Sequence, residues 1–195
     1  MEVVSRRQSG VAMLESLFAM TVLMVGMLGI CGLQAKTQTS HFEAYQRAQA
    51  LLLLDDIVNR INANRSAADC YAYSGAAGIP YLGKDGPDSK VDYSCAALTG
   101  TVQTRAISEN GMGEWNLLLQ GAAELEGGIA PRGAMIDARG CISFNPVTDL
   151  YTVAVAWQGM MPTMAPANPC ASGLYGPDTN RRVVTTMFRI ANLAN

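Results

Sequence analysis

The feature that most constrains this chain is an apolar run near its N-terminus, residues 11–33, in which Glu15 is the only charged side chain. A helix of about 20 apolar residues crosses the hydrocarbon core of a bilayer, which is ~30 Å thick. The run therefore predicts a membrane-spanning helix. Arg6 and Arg7 precede it, and basic residues favour the cytoplasmic side. We expect everything after about residue 34 to lie outside the inner membrane, in the periplasm.

The next segment, residues 34–64, contains neither proline nor glycine and is expected to continue the same helix. Apolar residues recur in it at spacings of three and four, which is the pattern of a helix with one buried face. The predicted face consists of Ala44, Ala48, Leu51, Leu54, Val58 and Ile61. Together the two segments predict one helix with an apolar first part and an amphipathic second part.

An ordinary secretory signal peptide, cleaved near Gly32 or Ala35, is the alternative interpretation of the N-terminus. Two observations argue against it. The apolar run is longer than the usual h-region of about 7 to 15 residues, and it passes without a turn into the second helical segment. Glu15 also lies inside the run, where an unpaired carboxylate is costly in lipid and gives nothing to a segment that is removed.

The chain has five cysteines, which fall into two environments. Cys31 lies in the apolar run, whereas the polar remainder holds Cys70, Cys95, Cys141 and Cys170. No CxxC or histidine-rich spacing suggests zinc, so two disulfides formed in an oxidising compartment are favoured. Of three possible connectivities we favour neighbours in the sequence, Cys70 with Cys95 and Cys141 with Cys170. Each pairing closes a loop of about 25 to 30 residues and contributes roughly 3 kcal/mol.

The last third of the chain has the composition of β-strands, rich in valine, threonine and aromatic residues. Three strands are predicted, at residues 141–144, 150–157 and 182–190, with a hairpin turn at 145–149 between the first two. We expect an antiparallel sheet of at least three strands, packed on the outer part of the long helix. The predicted fold class is α+β.

Between the long helix and the sheet the pattern is weaker. Residues 66–113 are rich in Gly, Ala, Ser, Asp and Tyr and predict a long connection. A short helix is predicted at 114–125, with one apolar face formed by Trp115, Leu118, Leu119, Ala122 and Leu125. A loop rich in proline and glycine, residues 159–180, joins the last two strands.

The residues offer little enzyme chemistry. The net charge is −2, lysine and arginine do not cluster, and the chain has a single histidine, His41. No nucleophile elbow, P-loop, dinucleotide fingerprint or HExxH motif occurs. Asp85, Asp88 and Asp92 lack EF-hand spacing, so a solvated loop is preferred over a calcium site. We therefore expect no catalytic residue, metal, cofactor or direct nucleic-acid partner.

The sequence SGVAMLE at residues 9–15, which follows the two arginines and begins the apolar run, resembles the class III signal of type IV prepilins and pseudopilins. In that family a membrane-embedded prepilin peptidase cuts after the glycine and methylates the new N-terminus. The resemblance implies cleavage between Gly10 and Val11, N-methylation of Val11, and a role in subunit assembly for Glu15, the fifth mature residue. Val11 departs from the phenylalanine that the family usually has there.

The order of long helix, cysteine-bearing loop, antiparallel sheet and C-terminal cysteine loop resembles pilins over essentially the whole mature chain. The resemblance implies the type IV pilin fold, with a leader peptide at 1–10, a membrane and assembly segment at 11–33, an amphipathic segment at 34–64 and a periplasmic head at 65–195. Within the family, residues 139–142, 151–159 and 181–184 resemble minor pilins.

A minor pilin is expected to prime pilus assembly and to lie near the pilus tip, where it supports twitching motility and adhesion. The implied partners are other minor pilins, the major pilin, the prepilin peptidase, the inner-membrane assembly platform and a large tip adhesin. The implied location is the inner membrane and then the pilus. Two alternatives stay open at this point: a minor pseudopilin of a type II secretion system, and a membrane-tethered periplasmic enzyme or binding protein.

Overall fold

A computed structural model describes residues 11–72, 80–84, 95, 100–122, 125–126, 130–131 and 135–191. The chain divides into two compact units, Met1–Phe42 and Glu43–Asn195. A single helix, α1, runs without interruption from Val11 to Ala63, and the prediction of one continuous helix is confirmed. In the first unit all residues from 11 to 38 are exposed. By length and composition the first part of α1 is sufficient to cross a membrane.

In the second unit α1 buries one face, which differs from the predicted face. The buried residues are Gln46, Ala50, Leu54, Ile57 and Ile61. The predictions of Leu54 and Ile61 are confirmed, but Ala44, Ala48 and Leu51 are exposed, so that part of the predicted face is wrong. Because residues 51–54 are all leucine, the apolar pattern fits more than one helical face, and tertiary packing chooses between them.

The predicted antiparallel sheet is confirmed, with an additional strand at one edge. The described residues form six strands: β1 (Leu82–Gly83), β2 (Leu125–Glu126), β3 (Ala130–Pro131), β4 (Arg139–Asn145), β5 (Leu150–Gln158) and β6 (Arg181–Phe188). The main sheet has the order β1-β4-β5-β6 with antiparallel neighbours, and β2 and β3 form a separate pair. The predicted hairpin turn joins β4 to β5, and Asn145 Oδ1 accepts hydrogen bonds from the backbone of Val147 and Thr148.

Strand β5 lies inside the sheet and is covered on both faces. Val153 and Val155 belong to the main core, which also contains the buried residues of α1. Ala154 and Ala156 point to the opposite face and pack in a second cluster with Cys170. Since successive side chains of a strand alternate between faces, burial on both sides explains why the sequence of β5 is almost continuously apolar.

The predicted short helix at 114–125 is wrong in both of its ends. Helix α2 runs from Val102 to Leu119. Its start is defined by a capping box, in which the Thr101 side chain accepts from the Thr104 amide and the Thr104 hydroxyl interacts with the Thr101 backbone. After its last residue the chain reaches Gly121, whose φ of 88° is typical of a glycine that ends a helix.

The long connection predicted at residues 66–113 is therefore partly helical. It contains a 3-10 helix, Arg65–Tyr71, and the first two thirds of α2. Gly111 and Gly113 lower the helix propensity of this stretch, which is why the pattern hid it. Gly111 is buried, and a Cβ there would lie 3.4 Å from the Tyr71 hydroxyl, so the position favours a small residue for packing rather than for a turn.

Trp115 is the point at which α1, α2 and β4 meet. Its side chain is fully buried, and its indole N–H donates a 2.8 Å hydrogen bond to the Leu53 carbonyl of α1. Its ring lies directly over Gly140 of β4, where a Cβ would be 2.6 Å from Cζ3 of the indole and 2.8 Å from Cδ1 of Leu119. The close approach of α2 to the sheet thus requires glycine at residue 140.

We predict that Gly140→Ala destabilises the head by about 1–3 kcal/mol, because the added methyl group overlaps the Trp115 ring. Gly113→Ala is the matched control: it lies in α2, nothing is within 4 Å of its Cβ position, and alanine should add about 0.5–1 kcal/mol. The measurement is denaturant unfolding of the full chain in detergent. Equal midpoints for Gly140→Ala and wild type would contradict this packing.

Candidate functional site

The N-terminal part of α1 presents an apolar surface on all sides. Val11 is 75% exposed and Phe18 is 69% exposed, and the large side chains between and after them are similarly open. Such a surface is stable only against lipid or against other apolar helices. Gly10, the predicted cleavage position, lies outside the described residues.

Glu15 is the one charged side chain on this apolar surface from residue 11 to residue 33. It lies four residues after Val11, so the two share a face of α1 one turn apart. Among the described residues no cation forms an ion pair with its carboxylate. A carboxylate in an apolar environment is costly until a cation neutralises it. The arrangement therefore offers a binding position for a positive group supplied by another molecule.

Two disulfides staple the head. Cys70 pairs with Cys95, and Cys141 pairs with Cys170, with Cα–Cα distances of 5.4 and 5.9 Å. These are the two pairings that the loop lengths favoured. The second disulfide joins β4 to the loop between β5 and β6, residues 159–180, which we call the C-terminal loop. Cys31 is a free cysteine on the exposed surface of α1.

Arg181, the first residue of β6, organises the C-terminal loop from inside. It is 1% exposed, and its guanidinium forms a two-point ion pair with Asp178 at 2.6 and 2.8 Å. Its remaining donors bind three backbone carbonyls of the loop, those of Pro166 (3.1 Å), Asn168 (2.5 Å) and Cys170 (2.9 Å). Because one rigid fork of donors satisfies five acceptor atoms, the loop has a fixed backbone.

Glu43 ties the start of the C-terminal loop to α1. Its Oε1 accepts hydrogen bonds from the amides of Met160 (3.1 Å) and Met161 (3.3 Å) and from Nη2 of Arg182 (3.2 Å). Arg182 also donates to the Met161 carbonyl. One carboxylate therefore joins the helix, the loop and the start of β6.

The side chains at the start of this loop point outward. Met160 and Met161 are 51% and 53% exposed, and Met164 is 91% exposed. Methionine is flexible and adapts to varied apolar partners. The loop thus combines a fixed backbone with an adaptable apolar tip, which makes it a candidate contact surface.

The C-terminal loop is also held near its end, where Tyr175 takes part in a cation–π contact with Arg139. The Arg139 guanidinium lies 5.1 Å from the ring centre of Tyr81 and 5.0 Å from that of Tyr175. The Tyr175 hydroxyl donates to the Asp137 carbonyl at 2.8 Å. Burial raises the pKa of Tyr175 to about 12, against the opposing effect of Arg139. The phenol therefore stays neutral at physiological pH and acts as a structural contact.

The sequence suggested roles for Val11 and Glu15, which stay predictions, and paired the cysteines as the structure has them. It gave no structural role to Arg181, Glu43 or Arg139. The partners of Arg181 and Glu43 are mostly backbone groups of a loop, and backbone groups leave no trace in a single sequence. Arg181 stood out in the sequence only as part of segment 181–184, which resembles minor pilins. Arginine at the start of a strand that follows a polar loop is usually exposed, so the sequence does not indicate that Arg181 is buried.

The possible metal ligands do not converge in the part of the chain that the structure describes, where no group of three or more His, Cys, Asp or Glu side chains could hold an ion. His41 is an exposed residue of α1. Asp85, Asp88 and Asp92, which were weighed as calcium ligands, lie outside the described residues.

No protein-family model, curated protein or solved structure matches this chain.

We predict that Asp178→Asn destabilises the head in a pH-dependent way. Arg181 lowers the pKa of Asp178 by hydrogen bonding to its carboxylate. A lowered folded-state pKa gives stability that is complete above the ordinary aspartate value of about 4 and is lost as pH falls through the lowered value. Thermal unfolding should thus show a deficit for Asp178→Asn at pH 7 that shrinks in acid.

Asp55→Asn is the control, since Asp55 is exposed on α1 and forms no ion pair among the described residues. It should unfold like wild type throughout the titration. A deficit for Asp178→Asn that stays constant down to pH 2 would show that the Arg181 ion pair contributes nothing.

Proposed function

We propose that the chain is a minor pilin of a type IV pilus, the protein called PilV, with the type IV pilin fold. One observation carries the proposal: a single helix, Val11–Ala63, is apolar and exposed over its first part, with Glu15 one turn from its start, and its last part enters the core of a disulfide-stapled head. Together with the sequence at residues 9–15, this arrangement fits a subunit that passes from a membrane into a filament.

In the proposed life cycle the prepilin peptidase removes residues 1–10 and methylates Val11. The apolar part of α1 then holds the subunit in the inner membrane with its head in the periplasm. The surface that fits lipid also fits the apolar helices of other subunits, so that extraction into a filament exchanges one apolar environment for another. Glu15 is neutralised there by the N-terminal amine of a neighbouring subunit, which favours correct axial alignment.

The proposed role is that of a low-abundance subunit. It joins other minor pilins in a complex that primes assembly of the major pilin on the inner-membrane platform, and it lies near the tip with a large adhesin. Twitching motility and adhesion depend on it through assembly. Support comes from the resemblance of residues 139–142, 151–159 and 181–184 to minor pilins. These residues fall in β4, β5 and β6 of the head, except Gly159, which directly follows β5.

We predict that the mature protein begins at methylated Val11. The measurement is intact mass and N-terminal analysis of protein recovered from membranes and from sheared surface fibres. Gly10→Leu should leave the leader attached, whereas Gly26→Ala, a glycine substitution inside the apolar run, should be processed normally. A chain that begins near Met1 or near Ala35 in both fractions would reject the pilin proposal.

We predict that Glu15→Ala is processed normally but is recovered less in fibres, because the carboxylate that selects the neighbour's amine is gone. The expected loss is about tenfold, which corresponds to ~1.4 kcal/mol of assembly energy. Ser16→Ala is the control, as it alters the adjacent residue without removing charge. Recovery of Glu15→Ala equal to that of Ser16→Ala would contradict the proposed pairing. Recovery in fibres that depends on secretion genes instead of pilus genes would favour the pseudopilin alternative.

A further inference from the structure

Strand β6 forms one edge of the main sheet. It pairs with β5 from Arg181 to Phe188, and no strand among the described residues pairs with its other side. Gly159 lies opposite Asn180, and its amide donates to the Asn180 carbonyl at 2.7 Å. In an antiparallel pair, hydrogen-bonded and non-hydrogen-bonded residue pairs alternate along the strands. The backbone groups of even-numbered residues in β6 therefore face β5. Those of Val183, Thr185 and Met187 face outward.

These outward N–H and C=O groups have no partner in the described part of the chain. Edge strands are usually protected by charged side chains, proline or a bulge. Between Arg182 and Arg189 the strand reads VVTTMF, without charge, proline or glycine, and its register with β5 is unbroken. Its composition strongly favours β-structure. The edge is thus a template for another extended backbone.

A row of aromatic rings leads to the same edge. Phe144, Tyr151 and Phe188 are partners across β4, β5 and β6, with ring centres 4.5 Å apart for the first two and 5.6 Å apart for the last two. The row ends at Phe188, which is only partly buried. A further strand with a large apolar side chain beside Phe188 would continue the row and bury that ring. On the opposite face of β6, Met187 is 65% exposed.

We propose that β6 is a docking site for an extended segment of another protein, which adds a strand to the main sheet. The chemistry of the edge fits a segment of β-branched residues with an aromatic or large aliphatic side chain beside Phe188. The choice of another protein over a second copy rests on the proposed function. If two β6 strands paired antiparallel, residues 43–63 of α1 would run in opposite directions in the two copies. Subunits of one filament instead share a single orientation.

The test uses the full chain in detergent and a short capped peptide of alternating threonine and valine with one phenylalanine. Amide hydrogen exchange should be fast at Thr185 and Met187 in the free protein and should slow by about tenfold or more when the peptide is saturating, as pairing protects those amides. Thr185→Pro removes an outward donor without touching the β5 pairing and should abolish the protection of Met187.

Met187→Lys places a charge at the edge and should weaken peptide binding about tenfold. Val147→Lys is its matched control, because Val147 is 91% exposed in the turn between β4 and β5, away from the edge. In cells, Met187→Lys should also reduce recovery in fibres while leaving the amount in membranes and the cleavage after Gly10 unchanged.

Three results would overturn the docking site: amides already protected in the free protein, peptide binding unaffected by Thr185→Pro and Met187→Lys, or a dimer by sedimentation that Met187→Lys dissociates. The last would assign the edge to a second copy. Each of these leaves the processing of Val11 untouched, so the docking site and the pilin proposal are judged separately.

Discussion

The burial of α1 in the head is the contact on which the rest of the structure depends. An amphipathic helix of this kind is marginal in water on its own, and its stability comes from packing its apolar face. Ala50, Leu54, Ile57 and Ile61 supply that face. In return they cover the side of the sheet that Val153 and Val155 present. Neither element could keep its apolar surface from water without the other.

The indole of Trp115 fixes how closely these elements approach. Its N–H donates to the Leu53 carbonyl, and without that bond the buried N–H would have no partner. Leaving such a donor unsatisfied destabilises a protein by more free energy than one hydrogen bond contributes on balance. Since the ring also fills the space above Gly140, the same side chain sets the distance between α2 and the sheet. The head therefore has one packing centre with three elements around it.

Elements with strong hydrophobic periodicity could be predicted from the sequence. Elements and side-chain positions that depend on tertiary contacts could not. Helix α1 and the hairpin of β4 and β5 follow from long apolar runs and a clear turn, and the structure contains both. The start of α2 was missed because Gly111 lowers local helix propensity while serving a packing contact. At the candidate site, Glu15 stands out as a charge in an apolar run. The buried Arg181 does not, because its partners are carbonyls whose positions depend on the folded loop.

The molecule leaves two surfaces incomplete in different ways. The apolar part of α1 holds a carboxylate, Glu15, that has no cation near it in the described chain. Strand β6 holds outward backbone groups that water satisfies at little cost, so an unprotected edge does not lower the stability of the head. Its cost is the risk of aggregation, which most proteins avoid by placing a charge or a proline on the edge. Arg182 and Arg189 flank the edge without interrupting it, and Arg182 is already bound to Glu43. Packing against the core of the monomer accounts for Val184 and Phe188. The absence of charge and proline between residues 183 and 188, where no described strand pairs with the outer side, is explained if another chain pairs there.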